Sequence, residues 1–193
     1  MRKLFLVVVL ASLAGCVTPP ARVDVPLTEA PDKSYTVDLP VGWIRHFAQD
    51  QTLLVSRDGF MLQTIGVTHR PAAQAFPKTK KAASENMLPS ELAELQIAEM
   101  KTETEQMAAL TVIENEPATI DGRDGFRVRV RYHTRRGLEI HRVTYGVPEK
   151  SGYYRIEYVA PKLHYFDATF ADFEKVVSSM RIAGDGKVAA KGN

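Results

Sequence analysis

Basic side chains recur at every second position of one segment of the sequence. Between Phe126 and Arg135, apolar and basic residues alternate. The basic members are Arg127, Arg129, Arg131, His133 and Arg135. Because side chains of a β-strand point alternately to its two faces, this spacing predicts one apolar and one cationic face. Guanidinium groups bind carboxylate and phosphate oxygens bidentately, so the cationic face is a candidate anion site.

The apolar segment that follows predicts the partner strand of a hairpin. A two-residue turn at Arg136-Gly137 would place Val130 opposite Val143 and Arg142 opposite Arg131. In that register every member of one face is apolar or aromatic-like, and a shift of one residue would put arginines into the core. We therefore expect Arg142 to lie beside the other arginines on the cationic face.

Two interpretations of this cationic face remain open. The first is a site for phosphate, a lipid headgroup or an acidic partner. Its candidate residues are Arg127, Arg129, Arg131 and Arg142. The second is an ordinary solvated face on which neighbouring carboxylates neutralise the arginines. The candidate carboxylates are Glu114, Glu116 and Glu157.

Other reactive side chains are not spaced for catalysis or for metal binding. The five histidines form no His-x-His or His-x-x-x-His pair, and one His with one Glu on a strand face, as in His141 and Glu139, does not make a metal site. The sequence also lacks Gly-x-Ser-x-Gly, Ser-x-x-Lys and a glycine-rich phosphate loop. We therefore expect no catalytic residues, no metal, no cofactor and no enzymatic activity.

The start of the chain predicts export. Arg2 and Lys3 precede an unbroken apolar run from Leu4 to Ala11, which has about half of the roughly 20 residues that a spanning helix needs. It is therefore typical of a cleaved signal peptide. The run ends in Leu13-Ala14-Gly15-Cys16, which resembles the bacterial lipobox, and Cys16 is the only cysteine of the chain. The alternative is an ordinary signal peptide followed by an incidental cysteine.

This resemblance implies cleavage between Gly15 and Cys16 and a lipid on the Cys16 thiol. Two or more acyl chains make such anchoring stable. Val17 stands where an aspartate would imply retention in the inner membrane, so the resemblance implies an outer-membrane lipoprotein that faces the periplasm. Removal of Arg2 and Lys3 from 25 basic and 23 acidic residues leaves the mature chain formally neutral. Its charge therefore gives no indication of nucleic-acid binding.

The composition divides the 193 residues into four parts. Residues 1–15 form the signal peptide. Residues 16–33 contain four prolines and predict a stiff tether, which could extend to at most roughly 55 Å. Residues 34–183 have the size of one domain, and residues 184–193 form a small, polar tail.

The domain alternates between strand and helix patterns. A strand begins at Tyr35, and two β-branched runs flank the Asp58-Gly59 hairpin signal. A helix is predicted from Ser90 to about Met107, and Pro117 marks an edge strand or bulge. A last helix has large apolar residues at spacings of four and three. They are Phe166, Phe170, Phe173, Val177 and Met180.

Two short segments carry a resemblance to a known superfamily. They are Tyr35-Thr36-Val37-Asp38-Leu39-Pro40-Val41-Gly42-Trp43 and Phe173-Glu174-Lys175-Val176-Val177-Ser178-Ser179-Met180-Arg181-Ile182. Together with the order of elements, they resemble the superfamily of the photosystem extrinsic protein PsbP, which includes a Ran-binding nuclear protein and DcrB-type envelope lipoproteins. The resemblance implies an α+β fold in which an antiparallel sheet meander is covered by helices on both faces, and it implies no catalytic residues.

These features together predict a membrane-anchored, non-enzymatic lipoprotein of the bacterial envelope that binds another envelope component. One alternative is a carrier or sensor of a small anionic or amphipathic ligand, held on the sheet face by Arg129, Arg131 and Arg142. A further alternative is an enzyme of unrecognised type, which would require buried titratable groups clustered in a cleft.

Overall fold

The computed structural model describes residues 19–48, 50, 52–103 and 110–183. The predicted signal peptide, Cys16 and the predicted tail from residue 184 lie outside the described residues. The strands are β1 (Ala21–Arg22), β2 (Leu27–Glu29), β3 (Tyr35–Asp38), β4 (Ile44–His46), β5 (Leu53–Ser56), β6 (Thr64–Arg70), β7 (Thr111–Ile120), β8 (Arg123–His133), β9 (Glu139–Glu149), β10 (Gly152–Pro161) and β11 (Arg181–Ile182). The helices are α1 (Pro89–Glu103) and α2 (Asp167–Ser179), and short helical turns span Ala72–Gln74 and Lys162–Phe166.

The described strands form two antiparallel sheets. The main sheet has eight strands in the order β1-β4-β5-β6-β10-β9-β8-β7, and the small sheet has three in the order β11-β3-β2. The four long strands β7 to β10 follow one another as the predicted meander. The predicted α+β class with an antiparallel sheet is therefore confirmed. As Pro117 indicated, β7 is an edge strand, and it carries a register irregularity between Val112 and Glu114.

The register of the β8–β9 hairpin differs from the prediction by one residue. Val130 lies opposite Arg142 and Phe126 opposite Gly146, whereas Arg131 lies opposite His141. The cause is the connection, which is a three-residue loop closed by the backbone of Thr134 and Leu138. Gly137 takes a φ of +80° at its end, as three-residue hairpin loops with a bulge require.

The corrected register has two structural consequences. Gly146 lies under the ring of Phe126, where a Cβ atom would clash with that ring and with the hydroxyl group of Tyr153. Any larger residue at this position would have to displace these two buried rings. Arg142, in turn, shares a face with Val130 instead of lying beside Arg131.

Part of the predicted tether belongs to the folded domain. β1 pairs with β4, and β2 pairs with β3. Val23 and Ala30 are buried in the core. The prolines of this segment predicted an extended chain. An extended chain that also carries apolar residues can pair with a sheet as an edge strand. The domain therefore begins at or before residue 21 and not at residue 34.

Two hydrophobic clusters stabilise the domain. The α1 core joins α1 to one set of alternate residues of β8 and includes Leu92, Met100, Phe126, Val128 and Val130. The α2 core joins α2 and the small sheet to the centre of the main sheet and includes Trp43, Val55, Tyr145, Tyr158 and Phe173. Of the predicted apolar face of the last helix, Phe170 is partly buried and the other four residues are buried.

Candidate functional site

The arginines of the predicted anion site do not converge. Arg127, Arg129 and Arg131 point to one face of β8, because Val128 and Val130 occupy the α1 core. Arg142 lies on the opposite face, beside Val130. The four side chains therefore belong to two separate groups, and each group has its own partners.

Carboxylates of the neighbouring edge strand accompany Arg127. Its Nη1 donates to Glu116 at 2.9 Å and also contacts Glu114. Both acids lie on β7, directly across from the arginines, as the neutralised-face interpretation predicted. Arg131, the third arginine of this face, is exposed.

A chain of hydrogen bonds connects Arg129 to Glu139 through His141. Nη2 of Arg129 is 2.8 Å from Nδ1 of His141, and Nε2 of His141 is 2.8 Å from Glu139 Oε1. Because a guanidinium can only donate, Nδ1 accepts and Nε2 carries the proton, which makes the imidazole neutral. Burial lowers the pKa of His141, and the charge of Arg129 lowers it further against the opposing effect of Glu139.

The guanidinium of Arg129 is held in one place by this contact and by an aromatic ring. Its central carbon lies 4.7 Å from the centroid of the Phe166 ring, which is within the range of a cation–π interaction. Its Nε is buried and has no hydrogen-bond partner among the described residues.

Arg142 is the centre of a buried ionic network on the other face. Its side chain is 4% exposed. It donates to Glu157 Oε2 at 2.6 Å through Nε and to Glu103 Oε2 at 2.6 Å through Nη1. Burial by itself would raise the pKa of Glu157, but Arg142 and Arg155 outweigh that effect and lower it. Since Glu103 lies on α1 and Glu157 on β10, this network ties the helix to the sheet.

A cleft that the sequence did not indicate lies at the end of β6. Its volume is about 780 Å³, and its lining includes Asp32, His69, Arg70, Gln74 and Lys80. Ligand pockets commonly measure about 300–1,000 Å³. The lining comes from separate segments of the chain, so no local spacing could have marked it.

His69 is the most constrained side chain of this cleft. Its Nδ1 is 2.7 Å from Asp32 Oδ2, and its Nε2 is 3.1 Å from the carbonyl oxygen of Ser151. The imidazole also stacks on the ring of Tyr154, with centroids 4.4 Å apart. Both partners of the ring nitrogens are acceptors, so both bonds form together only with the protonated imidazolium.

The acid of this pair is also fixed by its surroundings. Burial would raise the pKa of Asp32, but hydrogen bonds from Ser34 and His69 outweigh burial and lower it. Asp32 therefore acts as a charged acceptor that orients His69. In the part of the chain that the structure describes, no three His, Cys, Asp or Glu side chains are placed to hold a metal ion.

Comparisons with known proteins give a fold and no sequence relative. No family model matches the sequence, and no curated protein sequence matches it either. The solved structures do match. The cyanobacterial PsbP protein CyanoP from Synechocystis sp. PCC 6803 superposes with a TM-score of 0.59 over 89% of this chain and 99% of CyanoP, at 12% identity. The chain has a PsbP-like fold.

Two further structures share the PsbP-like fold. The Ran-binding protein Mog1p of Saccharomyces cerevisiae has a TM-score of 0.50, 10% identity, and coverage of 84% of this chain and 96% of Mog1p. A protein of Bacteroides thetaiotaomicron has a TM-score of 0.54 and 8% identity over 86% of this chain. This chain spans only 51% of the Bacteroides protein. At such identities the likeness shows the fold alone, and it confirms the PsbP-like fold predicted from the two short segments and the order of elements.

Proposed function

We propose that this protein is a lipid-anchored component of the bacterial envelope whose PsbP-like domain binds another envelope component and catalyses no reaction. The observation that carries the proposal is the order of residue types in residues 2–16, which ends in Cys16, the single thiol of the chain. Within the described residues no helix is long and apolar enough to cross a membrane.

The way in which the domain uses its polar groups supports a binding role. On the cationic face, Arg127 is paired with Glu116, and Arg129 is held by the neutral imidazole of His141 and lies 3.4 Å from Glu114. Groups fixed in this way stabilise a surface of defined charge pattern. Complementary charge patterns provide specificity for a partner more than raw affinity.

We also infer that α1 and α2 cover opposite faces of the main sheet. Val128 and Val130 pack with Leu92 of α1 in the α1 core. The ring of Tyr145, which lies opposite Arg127, is 5.9 Å from that of Phe173 on α2. Since neighbours along a strand point to opposite faces, the two helices would enclose the sheet.

Lipidation is tested by labelling cells with radioactive palmitate and separating their membranes. The wild-type chain is expected to incorporate the label and to sediment with the outer membrane, whereas Cys16→Ser does neither. Val17→Ser is the matched control, because it alters the neighbouring residue and leaves the thiol. Equal labelling of the wild type and Cys16→Ser would contradict the anchor.

Partner binding is tested by chemical crosslinking in intact cells, followed by isolation of this chain. We expect a specific crosslink to an envelope protein that depends on the wild-type cationic face and is reduced by Arg131→Glu. Turnover of a substrate by the purified domain, without any crosslinked partner, would overturn the non-enzymatic proposal.

The cleft at β6 supports a second candidate function, which is the carriage of a small anionic or amphipathic ligand. The sheet-face version of this hypothesis required Arg129, Arg131 and Arg142 to converge, and Arg142 lies on the other face. The cleft instead offers Lys80 and the apolar side chains of Pro71, Ala73 and Pro77. The test uses anilinonaphthalene sulfonate as an anionic amphipathic probe. Its fluorescence should fall with Lys80→Glu and not with Arg131→Glu, and the reverse result would favour the sheet face.

A further inference from the structure

The chain enters the folded domain at the edge of the main sheet. Ala21, the first residue of β1, lies opposite Arg45 of β4. Five residue steps separate Cys16 from Ala21, and they span at most about 18 Å when fully extended. If Cys16 carries the lipid, as proposed above, the β1–β4 edge cannot stand far from the membrane surface.

Three large exposed apolar side chains lie at the end of β4 and in the β5–β6 connection that packs against it. Phe47, which follows the last residue of β4, is 72% exposed, and Phe60 and Met61 are 54% and 83% exposed. The ring of Phe60 packs edge-on against that of His46, with centroids 5.6 Å apart. Phe47 and Phe60 therefore flank the same residue at the end of β4. We call Phe47, Phe60 and Met61 the apolar rim.

The type of surface that would cover the apolar rim follows from its chemistry and its position. Large exposed apolar side chains beside polar ones are suited to the boundary between headgroups and acyl chains. Arg22 and Arg45, both exposed, lie on the two paired strands of the same edge and can reach phosphate groups of lipids. A bilayer is also the one surface that the short connection to Cys16 necessarily brings to this edge.

We propose that the β1–β4 edge of the domain lies directly on the phospholipid surface and inserts the apolar rim at the headgroup boundary. This inference rests on the proposed anchor at Cys16. It orients the domain so that the distant strands β8 and β7 point away from the membrane. The cationic face of β8 is then open to the envelope space, where a partner protein can reach it.

The first test measures the depth of the apolar rim in an anchored domain. The chain from residue 16 onward is coupled through Cys16, its only cysteine, to a maleimide phospholipid in vesicles of phosphatidylethanolamine and phosphatidylglycerol. This chemical anchor makes the result independent of lipidation in cells. Phe60→Trp is compared with Leu138→Trp, a reporter at the 43% exposed Leu138 of the distant β8–β9 hairpin. The native Trp43 is buried, and its signal is subtracted with the parent chain.

Brominated acyl chains are expected to quench the tryptophan at position 60 at least about three-fold more strongly than the tryptophan at position 138. Equal quenching at the two positions would overturn the docking proposal. So would a change from dimer to monomer caused by altering the apolar rim, because a second copy of the chain would then be its occupant.

The second test measures vesicle binding without any anchor. The chain from residue 16 onward carries Cys16→Ser, and binding is followed by flotation with the same vesicles. Phe47→Ser/Phe60→Ser/Met61→Ser should reduce the bound fraction about ten-fold. The matched triple variant Leu88→Ser/Ile113→Ser/Leu138→Ser removes exposed apolar groups elsewhere and should leave it within about two-fold. Equal losses, or no flotation of the parent chain, would count against docking.

The two proposals fail in different ways. Absence of palmitate on Cys16 in cells would end the lipid-anchor proposal and leave both vesicle tests unaffected. Equal quenching at positions 60 and 138 would end the docking proposal even if Cys16 is fully lipidated. Circular dichroism of each variant shows whether the domain is folded before either comparison is made.

Discussion

The two faces of the β8–β9 hairpin accommodate arginine in opposite ways. On the face toward α1, Arg142 is buried and shared between Glu103 and Glu157, which come from a helix and from another strand. On the other face, Arg127 pairs with acids of the adjacent edge strand at a partly exposed position. The first network connects three elements of the fold, whereas the second connects two neighbouring strands that backbone hydrogen bonds already join.

This difference indicates where charge contributes to stability and where it remains available for binding. Loss of one partner from a buried ion pair leaves an uncompensated charge in the low-dielectric interior of the protein. Loss of one partner from an exposed pair leaves a charge that water can solvate. We therefore expect substitutions on the face toward α1 to change the stability of the domain, and substitutions on the cationic face to change chiefly its surface.

The largest expected effect comes from Arg142→Ala. Removal of the guanidinium leaves Glu157 and Glu103 without their shared cation, which should lower the free energy of unfolding by about 3–5 kcal/mol. Urea denaturation at neutral pH measures the change. Arg131→Ala, an exposed arginine of the same hairpin, is the control and should stay within about 0.5 kcal/mol. Equal losses from the two variants would remove the distinction between the faces.

Glu157→Gln should have the next largest effect. The amide keeps the shape of the side chain but loses the charge-assisted bond to Arg142, which should cost about 1.5–3 kcal/mol near neutral pH. The variant also tests the lowered pKa of Glu157. A carboxylate with a lowered folded-state pKa stabilises the protein above its unfolded-state pKa, and this contribution is lost as the pH falls through the folded-state value.

Denaturation curves between pH 7 and pH 3 should therefore converge for the wild type and Glu157→Gln. The convergence should begin below the ordinary pKa of 4.5, as the wild-type carboxylate becomes protonated. A difference between the two proteins that stays constant over this range would mean that the charge of Glu157 does not stabilise the fold.

Arg127→Ala should have a smaller effect, of about 1 kcal/mol or less, because the pair with Glu114 and Glu116 is partly solvated. Its contribution should weaken further when salt is raised from about 0.05 M to about 0.5 M, since salt screens exposed charges. Parallel measurements on Arg142→Ala should depend much less on salt. A strong salt dependence of both variants would show that both networks are solvated.

The smallest effect is expected from His141→Gln and appears only as a pH dependence. The folded-state pKa of His141 is lowered from its ordinary value of 6.5, so the neutral ring stabilises the protein above that pH. This contribution is lost as the pH falls and the unfolded chain takes up the proton more readily. Between about pH 8 and pH 5, wild-type stability should decrease relative to His141→Gln. A relative increase would contradict the neutral tautomer assigned from Arg129.

Several elements of the fold could be predicted from local sequence. The helix with Phe166, Phe170 and Phe173 and the edge strand with Pro117 lie where their patterns indicated. The runs on either side of Asp58-Gly59 pair as predicted, but the second strand begins at Thr64 and not at Phe60, so the connection is longer than a two-residue turn. These signals are reliable because each depends on residues close together in the chain. The short strands β1, β2, β4 and β11 were missed, since two or three residues carry no periodicity.

The candidate sites could be predicted only in part. Strand alternation correctly placed Arg127, Arg129 and Arg131 on one face, and the acids of β7 lie across from them. The cleft around His69 could not be predicted from local sequence, because Asp32, the hydrogen-bond partner of His69, lies 37 positions away along the chain. The sequence did contain one indication of the hairpin register. Gly146 is the single glycine of β9, and it lies directly opposite the large ring of Phe126.

The sequence by itself determined which residues of each long strand share a face, because alternation of side chains is a property of a single extended chain. It also determined the apolar face of α2 for the equivalent reason in a helix. The tertiary structure alone decided which strand residues lie opposite one another and where β1 joins the sheet. Pairing depends on loop geometry and on distant partners: the three-residue loop at Gly137 shifted the register by one position and placed Arg142 in the interior, where only Glu103 and Glu157 make its burial tolerable.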